Sequence, residues 1–259
     1  MTMPKNLVFI RHGESQANQR LEQIKQNLIL TEDNVTYPDR SWELTEKGKG
    51  QAREIGKIFQ KGGSSHMWFD HHYVSPYVRT IQTAAMLDME YANWEPLREI
   101  RERSWGDIDS ISTEKFKESY PTNYDRHIKD PLYWMPPGGE SLASVAEGRL
   151  NAFFAKLHRD NAGENVICVT HHDIMLSARL VLEHLSDDYF TKGLQNKELA
   201  FPNASALCYT RVDPETKVLN SKLSFVKLIS IDANGNIQTN GWSKITKESL
   251  KLTNTYKTT

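Results

Sequence analysis

Residues 6–10, Asn-Leu-Val-Phe-Ile, form an apolar run that stops at Arg11-His12-Gly13-Glu14-Ser15. An apolar run of that length, closed by a glycine, predicts a buried strand that empties into a tight loop. Open α/β sheets bind ligands at the carboxyl ends of their strands, so this loop stands where chemistry is expected. It offers a fixed cation, an imidazole able to act near neutral pH, and a glycine that lets backbone approach a ligand. Alone, the same residues would also suit a charged turn, so the rest of the chain has to decide.

At 259 residues the chain suits one large α/β domain and could hold two small ones. With 38% hydrophobic and 25% charged residues, there is enough apolar surface for a core. The net charge of -1 gives no electrostatic reason to expect nucleic acid or an anionic membrane as partner. No apolar run approaches the roughly 20 residues that span a bilayer, and residues 1–5 lack the layout of a secretory signal. Cys168 and Cys208 fall in apolar runs, which predicts two buried, reduced thiols and a cytoplasmic compartment. Nine histidines raise the question of a metal. However, His71-His72 and His171-His172 are adjacent pairs whose members point to opposite faces of an extended chain. There is also no His-Glu-x-x-His and no Cys-x-x-Cys, so no metal is expected.

Residues 16–41 show no sustained period and read as a long loop, with one short helix at 19–26 and a Leu28-Ile29-Leu30 patch. A helix capped by Thr45 follows, with Ala52, Ile55, Gly56 and Phe59 as its stripe and Gly62-Gly63 as its end. Residues 70–75 read as a strand, Pro76 as the first turn of a helix carrying Arg79, and residues 94–100 as a third strand leading to Glu102. A short helix is expected over 113–120. Tyr120, Tyr124, Tyr133 and Trp134 fit a cap over the core or a pocket wall, with core packing favoured. A turn at 136–139 precedes a helix over 142–159. Residues 165–170 are the clearest strand, followed by His171 and a helix over 174–184. Residues 204–212 and 223–231 alternate like antiparallel strands. These readings predict a single-domain, three-layer α/β/α sandwich over residues 1–240. Its central sheet would be mostly parallel, with antiparallel edge strands late in the chain, and residues 241–259 would form a polar tail or frayed helix.

Taken singly, Arg79 would be a solvated charge, Glu102 a salt-bridged surface carboxylate and His171 a structural residue. Three strand-to-helix loops of a parallel sheet, however, would bring Arg11 with His12, Arg79 and His171 to one edge. Two guanidiniums, two imidazoles and helix N-termini describe a pocket for a dianion, most simply a phosphoryl group. Histidine is a competent nucleophile, and Glu102 is the best-placed acid for the leaving oxygen.

These motifs resemble the histidine phosphatase superfamily, the phosphoglycerate-mutase-like enzymes, from Leu7 to about Arg211 and in the family's order. Arg-His-Gly-Glu-Ser with Asn18 is similar to its first phosphate loop. Leu44-Thr45 with Gly48 and Gln51-Ala52 resembles the next helix start, and Ser75-Pro76 through Arg79 to Gln82-Thr83-Ala84 the second arginine motif. Glu102 with Gly106 resembles the acid loop, Gly139-Glu140-Ser141-Leu142 the next landmark, and Thr170-His171 the second histidine.

The resemblance implies that His12 attacks phosphorus to form a phosphohistidine. Glu102 would protonate the leaving alcohol and then activate water. Arg11, Arg79, His171 and Asn18 would hold the phosphoryl oxygens, with the His172 amide and Ser15 assisting. It implies no metal and no organic cofactor, and activity that falls at low pH as His12 protonates. Three departures favour a phosphatase over a glycolytic mutase: a longer stretch between Asn18 and Leu44, His172 where the family usually has glycine, and Ser110 where many phosphatases have glycine. The expected function is a phosphomonoesterase acting on a small phosphorylated metabolite. A phosphoglycerate mutase is the first alternative, and a weakly active phosphate-binding adaptor the second. Neither the substrate nor the oligomeric state can be read from the sequence.

Overall fold

The computed structural model describes residues 2–26, 38–60, 63, 67–109, 111–232 and 234–246. The Leu28-Ile29-Leu30 patch, Gly62, Ser110 and residues 247–259 lie outside these. In chain order the elements are β1 (Asn6–Arg11), α1 (Gln16–Lys25), α2 (Glu46–Phe59), β2 (His71–Val74), α3 (Val78–Met86) and β3 (Trp94–Pro96). Then come α4 (Thr113–Ser119), α5 (Pro121–Lys129), α6 (Leu142–Ser144), α7 (Asn151–Asp160), β4 (Asn165–Thr170), α8 (His172–Leu182) and α9 (Asp187–Gln195). The chain closes with β5 (Ala206–Thr210), β6 (Phe225–Ile231), β7 (Ile237–Thr239) and β8 (Ser243–Lys244).

One mixed sheet results, ordered β3-β2-β4-β1-β5-β6-β7, with β8 also paired to β6. The half from β3 to β1 is parallel, and the late strands are antiparallel. Period-two alternation divides the core. From β1, Leu7 and Phe9 face a cluster with Phe153, Leu157 and Met175, whereas Val8 and Ile10 face one with Ile55, Phe59 and Leu87. Helices therefore cover both faces, giving the three layers. No helix among the described residues is long and apolar enough to cross a membrane.

Several boundaries differ from the sequence reading. The loop after β1 is short, because Ser15 caps α1 at once: it accepts from the Asn18 amide, and Asn18 Oδ1 accepts from the Ser15 amide. The third strand stops at Pro96, which lacks a donor, and residues 98–100 wind into a 3-10 turn. Pro76 precedes the helix cap at Tyr77 instead of opening α3, and α8 begins at His172. The helix expected over 142–159 contains a π-helical turn at Val145–Leu150. Past residue 240, Ser243 and Lys244 pair with Val226 and Phe225, so the sheet continues into the segment read as a tail.

The loop after β1 is locked to α2 by backbone contact. A Cβ on Gly48 would run into the Glu14 carbonyl, and one on Gly13 into the Gly48 carbonyl, whereas Gly50 has open space around it. Gly48→Ala is therefore expected to cost about 1–3 kcal/mol, read as a fall in Tm. Gly50→Ala should raise Tm, since alanine is the better helix former by about 0.5–1 kcal/mol. Equal effects of the two substitutions on thermal melting would contradict this packing.

Candidate active site

Parallel register builds the site. Arg11 lies opposite Thr170, and Val74 opposite Val169, so the next residues of β1, β4 and β2 emerge side by side as His12, His171 and Ser75. The His12 amide donates to the Thr170 carbonyl at 3.0 Å, and the Ser75 amide to Val169 at 2.9 Å. The two imidazoles lie 5.3 Å apart, edge to face.

His12 is 3% exposed. Its Nδ1 is 2.7 Å from the Gly13 carbonyl, which can only accept. The ring proton is therefore on Nδ1 and the lone pair on Nε2. Burial, then Arg79 and Arg11, pushes the pKa well below the ordinary histidine value, so the ring is neutral. His171 is likewise held neutral by burial and Arg79. Its Nε2 is 2.7 Å from Ser75 Oγ, and its buried Nδ1 has no hydrogen-bond partner among the described residues.

Arg79, in the first turn of α3, places both terminal nitrogens on Asp39. Nη1 donates to Oδ1 at 3.0 Å and to the backbone carbonyl at 2.6 Å, and Nη2 donates to Oδ2 at 3.2 Å. The guanidinium also lies 4.9 Å above the Tyr77 ring. Arg11 donates from Nη1 to the Phe201 carbonyl, while its buried Nε has no partner among the described residues.

Glu102 accepts from the Arg103 amide at 2.9 Å, with Oε2 3.6 Å from His171 Nδ1, beyond hydrogen-bond reach. Burial, reinforced by the Asp173 carboxylate and opposed by Arg79, pushes its pKa up to about 8. It therefore carries a proton at neutral pH. A brace of arginines fixes its loop. Arg103 Nε donates to Asp173 at 2.7 Å, and its guanidinium lies 4.0 Å over the Trp105 ring. Arg149, in the π-helical turn, donates to the Glu99 and Arg101 carbonyls and to both Glu140 oxygens, each at 2.9 Å. Burial works against ionising Asp173, but Arg103 and the His172 hydrogen bond hold it well below the usual carboxylate range.

Arg11, His12, Asn18, Arg79, Glu102 and His172 line one cavity of about 540 Å³. Ser15 also reaches it, but its hydroxyl is committed to the α1 cap and to Asn18 Oδ1. Asn18 Oδ1 additionally accepts from Asn203 at 3.1 Å, which leaves the amide nitrogen to serve the cavity. His172 turns its Nδ1 to Asp173 at 3.0 Å. His12, Glu102 and His171 bring a donor atom each within 4.8 Å of one another, a spacing that could chelate. The two guanidiniums acting on the same imidazoles instead favour an anion there.

Sequence reasoning did not assign roles to Asp39, Ser75, Asp173 or Arg149. Asp173 follows His172 directly and Ser75 opens the Ser75-Pro76 motif, so both carry a local signal in the sequence. The pairing of Asp39 with Arg79 spans 40 residues and leaves no local signal. Motif residues without a reacting role act as fasteners. Gln51 accepts from the Glu14 amide at 2.8 Å and Gln82 from the Leu44 amide at 2.7 Å. Thr83 accepts from the Gly13 amide at 3.1 Å.

Fold and site together define an α/β protein whose sheet edge gathers histidines and arginines about one cavity. Residues 7–220 match the histidine phosphatase superfamily (branch 1), and the chain belongs to that superfamily. It is 31% identical to a 2,3-bisphosphoglycerate-dependent phosphoglycerate mutase of Parvibaculum lavamentivorans, over 72% of this chain and 83% of that one. It is 29% identical to the phosphoglycerate mutase-like protein AT74 of Arabidopsis thaliana, over 61% and 48%. In fold it is similar to the alpha-ribazole phosphatase of Shigella flexneri, with TM-score 0.62, 19% identity, and coverage of 85% of this chain and 96% of that one. It is also similar to a mycobacterial glucosyl-3-phosphoglycerate phosphatase in complex with inorganic phosphate, with TM-score 0.59, 20% identity, and coverage of 79% and 89%.

The Asp39 carboxylate sits on the guanidinium an oxyanion would use. Asp39→Asn is therefore expected to tighten binding of inorganic phosphate about tenfold, the size of one charge-assisted hydrogen bond. Calorimetry on the intact protein measures it; weaker binding would show that Asp39 positions Arg79 for the anion rather than competing with it.

Proposed function

We propose that this protein is a metal-independent phosphomonoesterase working through a phosphohistidine on His12. The observation that carries the reading is the state of that ring: neutral, buried between guanidiniums, with Nδ1 bound to Gly13 and Nε2 left as the nucleophilic nitrogen. In the first step Nε2 attacks phosphorus in line, the bond to the ester oxygen breaks, and Glu102 passes its proton to that oxygen. In the second, the Glu102 carboxylate takes a proton from water, the water oxygen attacks phosphorus, and the N–P bond breaks to release orthophosphate. Arg11, Arg79 and Asn18 hold the non-bridging oxygens. Ser75 Oγ–H donating to Nε2 of His171 would turn its unpartnered Nδ1–H toward the same oxygens. The His172 amide, at the N-terminus of α8, adds a donor. Ser15 serves through the cap that holds Asn18.

The substrate is a small phosphorylated metabolite, a class that the names of the relatives support. The buried free thiols Cys168 and Cys208 suit a reducing cytoplasm. A phosphoglycerate mutase remains the second reading because of the 31% identical relative. Assays of 3-phosphoglycerate with and without a bisphosphate primer separate the two, since isomerisation without net phosphate release would favour the mutase.

The pH profile of aryl phosphate hydrolysis in the presence of chelator tests the reading. Turnover should fall as pH rises through about 8, where Glu102 loses its proton. The acid limb should lie below the usual histidine range, since the depressed His12 stays neutral there. Glu102→Gln should cost on the order of 10²–10⁴-fold, and His12→Ala should remove turnover. Unchanged turnover in His12→Ala would overturn the mechanism.

A further inference from the structure

Beyond the reacting groups the cavity changes character. Its floor is charged, but its walls carry Leu21 and Ile24 of α1 and, from the excursion between β3 and α6, Ile108, Phe116 and Ile128. Ile24, Ile108 and Phe116 are buried, whereas Leu21 is 41% and Ile128 51% exposed. Buried and exposed apolar side chains thus line the same cavity as His12, Arg79 and Glu102. Single exposed apolar side chains are ordinary, but here two of them line one cavity together with buried apolar neighbours, and such lining marks a ligand site.

Polar side chains share these walls, among them Arg20, Lys25, Asp109, Ser112 and Thr113. His127 lines the same cavity, packed 4.5 Å from Trp134 and 6.1 Å from Phe116. Its Nδ1 is buried without a hydrogen-bond partner among the described residues. Burial, with Arg103 nearby, lowers its pKa and keeps the ring neutral.

We infer that the preferred leaving group is a bulky apolar alcohol or phenol seated against Leu21, Ile24, Ile108 and Phe116. This rests on the phosphomonoesterase reading and specifies its substrate class. A small charged alcohol such as glycerate would leave these apolar walls wet.

Two measurements test it. The first compares kcat/KM for hexyl phosphate and glycerol 3-phosphate, both esters of primary alcohols of similar acidity, together with 3-phosphoglycerate. Hexyl phosphate should be favoured by about tenfold or more, the scale of well-seated methylenes. Ile128→Asp, at an exposed position, should shrink that preference several-fold. The second is calorimetry, in which benzylphosphonate should bind at least about tenfold more tightly than inorganic phosphate. Equal kcat/KM values, a preference for 3-phosphoglycerate, or equal affinities would overturn the inference. Tight benzylphosphonate binding with no turnover of any ester would uphold the apolar seat while overturning the phosphatase reading.

Discussion

Two guanidiniums buried against two neutral imidazoles form an arrangement that a protein cannot hold without compensation. Unpaired buried charge is costly, and each neighbour here is part of the answer. Asp39 takes both terminal nitrogens of Arg79, the Phe201 carbonyl takes one nitrogen of Arg11, and Asp173 takes Arg103 behind the acid loop. What remains is directional. Arg11 Nε and His171 Nδ1 are buried without partners among the described residues. Burial, together with those guanidiniums, keeps His12 neutral, and burial with Asp173 keeps Glu102 protonated. One buried setting therefore holds a neutral imidazole and a protonated carboxyl beside two guanidiniums.

The scaffold supplies the precision. Parallel pairing of β2, β4 and β1 fixes Ser75, His171 and His12 in a row, and close contact of Gly13 with Gly48 fixes the loop between them and α2. The acid arrives from a less regular segment and depends on Arg149 and Arg103 for its place. The reacting floor thus rests on strands and helix starts, whereas the walls that meet the leaving group come from α1 and the 105–128 region. Such a division lets a superfamily keep one chemistry while changing what it acts on.

How much of this was legible in the sequence follows from which residues announce themselves. The strands Asn6–Arg11 and Asn165–Thr170 have continuous apolar centres, and His12 and His171 follow their last residues, so the fold class was readable in advance and the grouping of His12, Arg79, Glu102 and His171 could be proposed from the motifs. Strands β7 and β8 are only three and two residues long and exposed throughout, so no hydrophobic period marks them. Ser15 was visible as a site residue, but its role as a cap depends on Asn18 folding back on it. The Asp39–Arg79 pair and the apolar vestibule join segments far apart in the chain, and only folding brings them together.

The central claim is covalent transfer to one nitrogen, and trapping it is the direct test. Protein quenched with base during turnover of a ³²P-labelled phosphomonoester should carry acid-labile, base-stable label that maps to the peptide containing His12. Label on any other residue, or turnover with no phosphoenzyme in rapid-quench samples, would contradict the account.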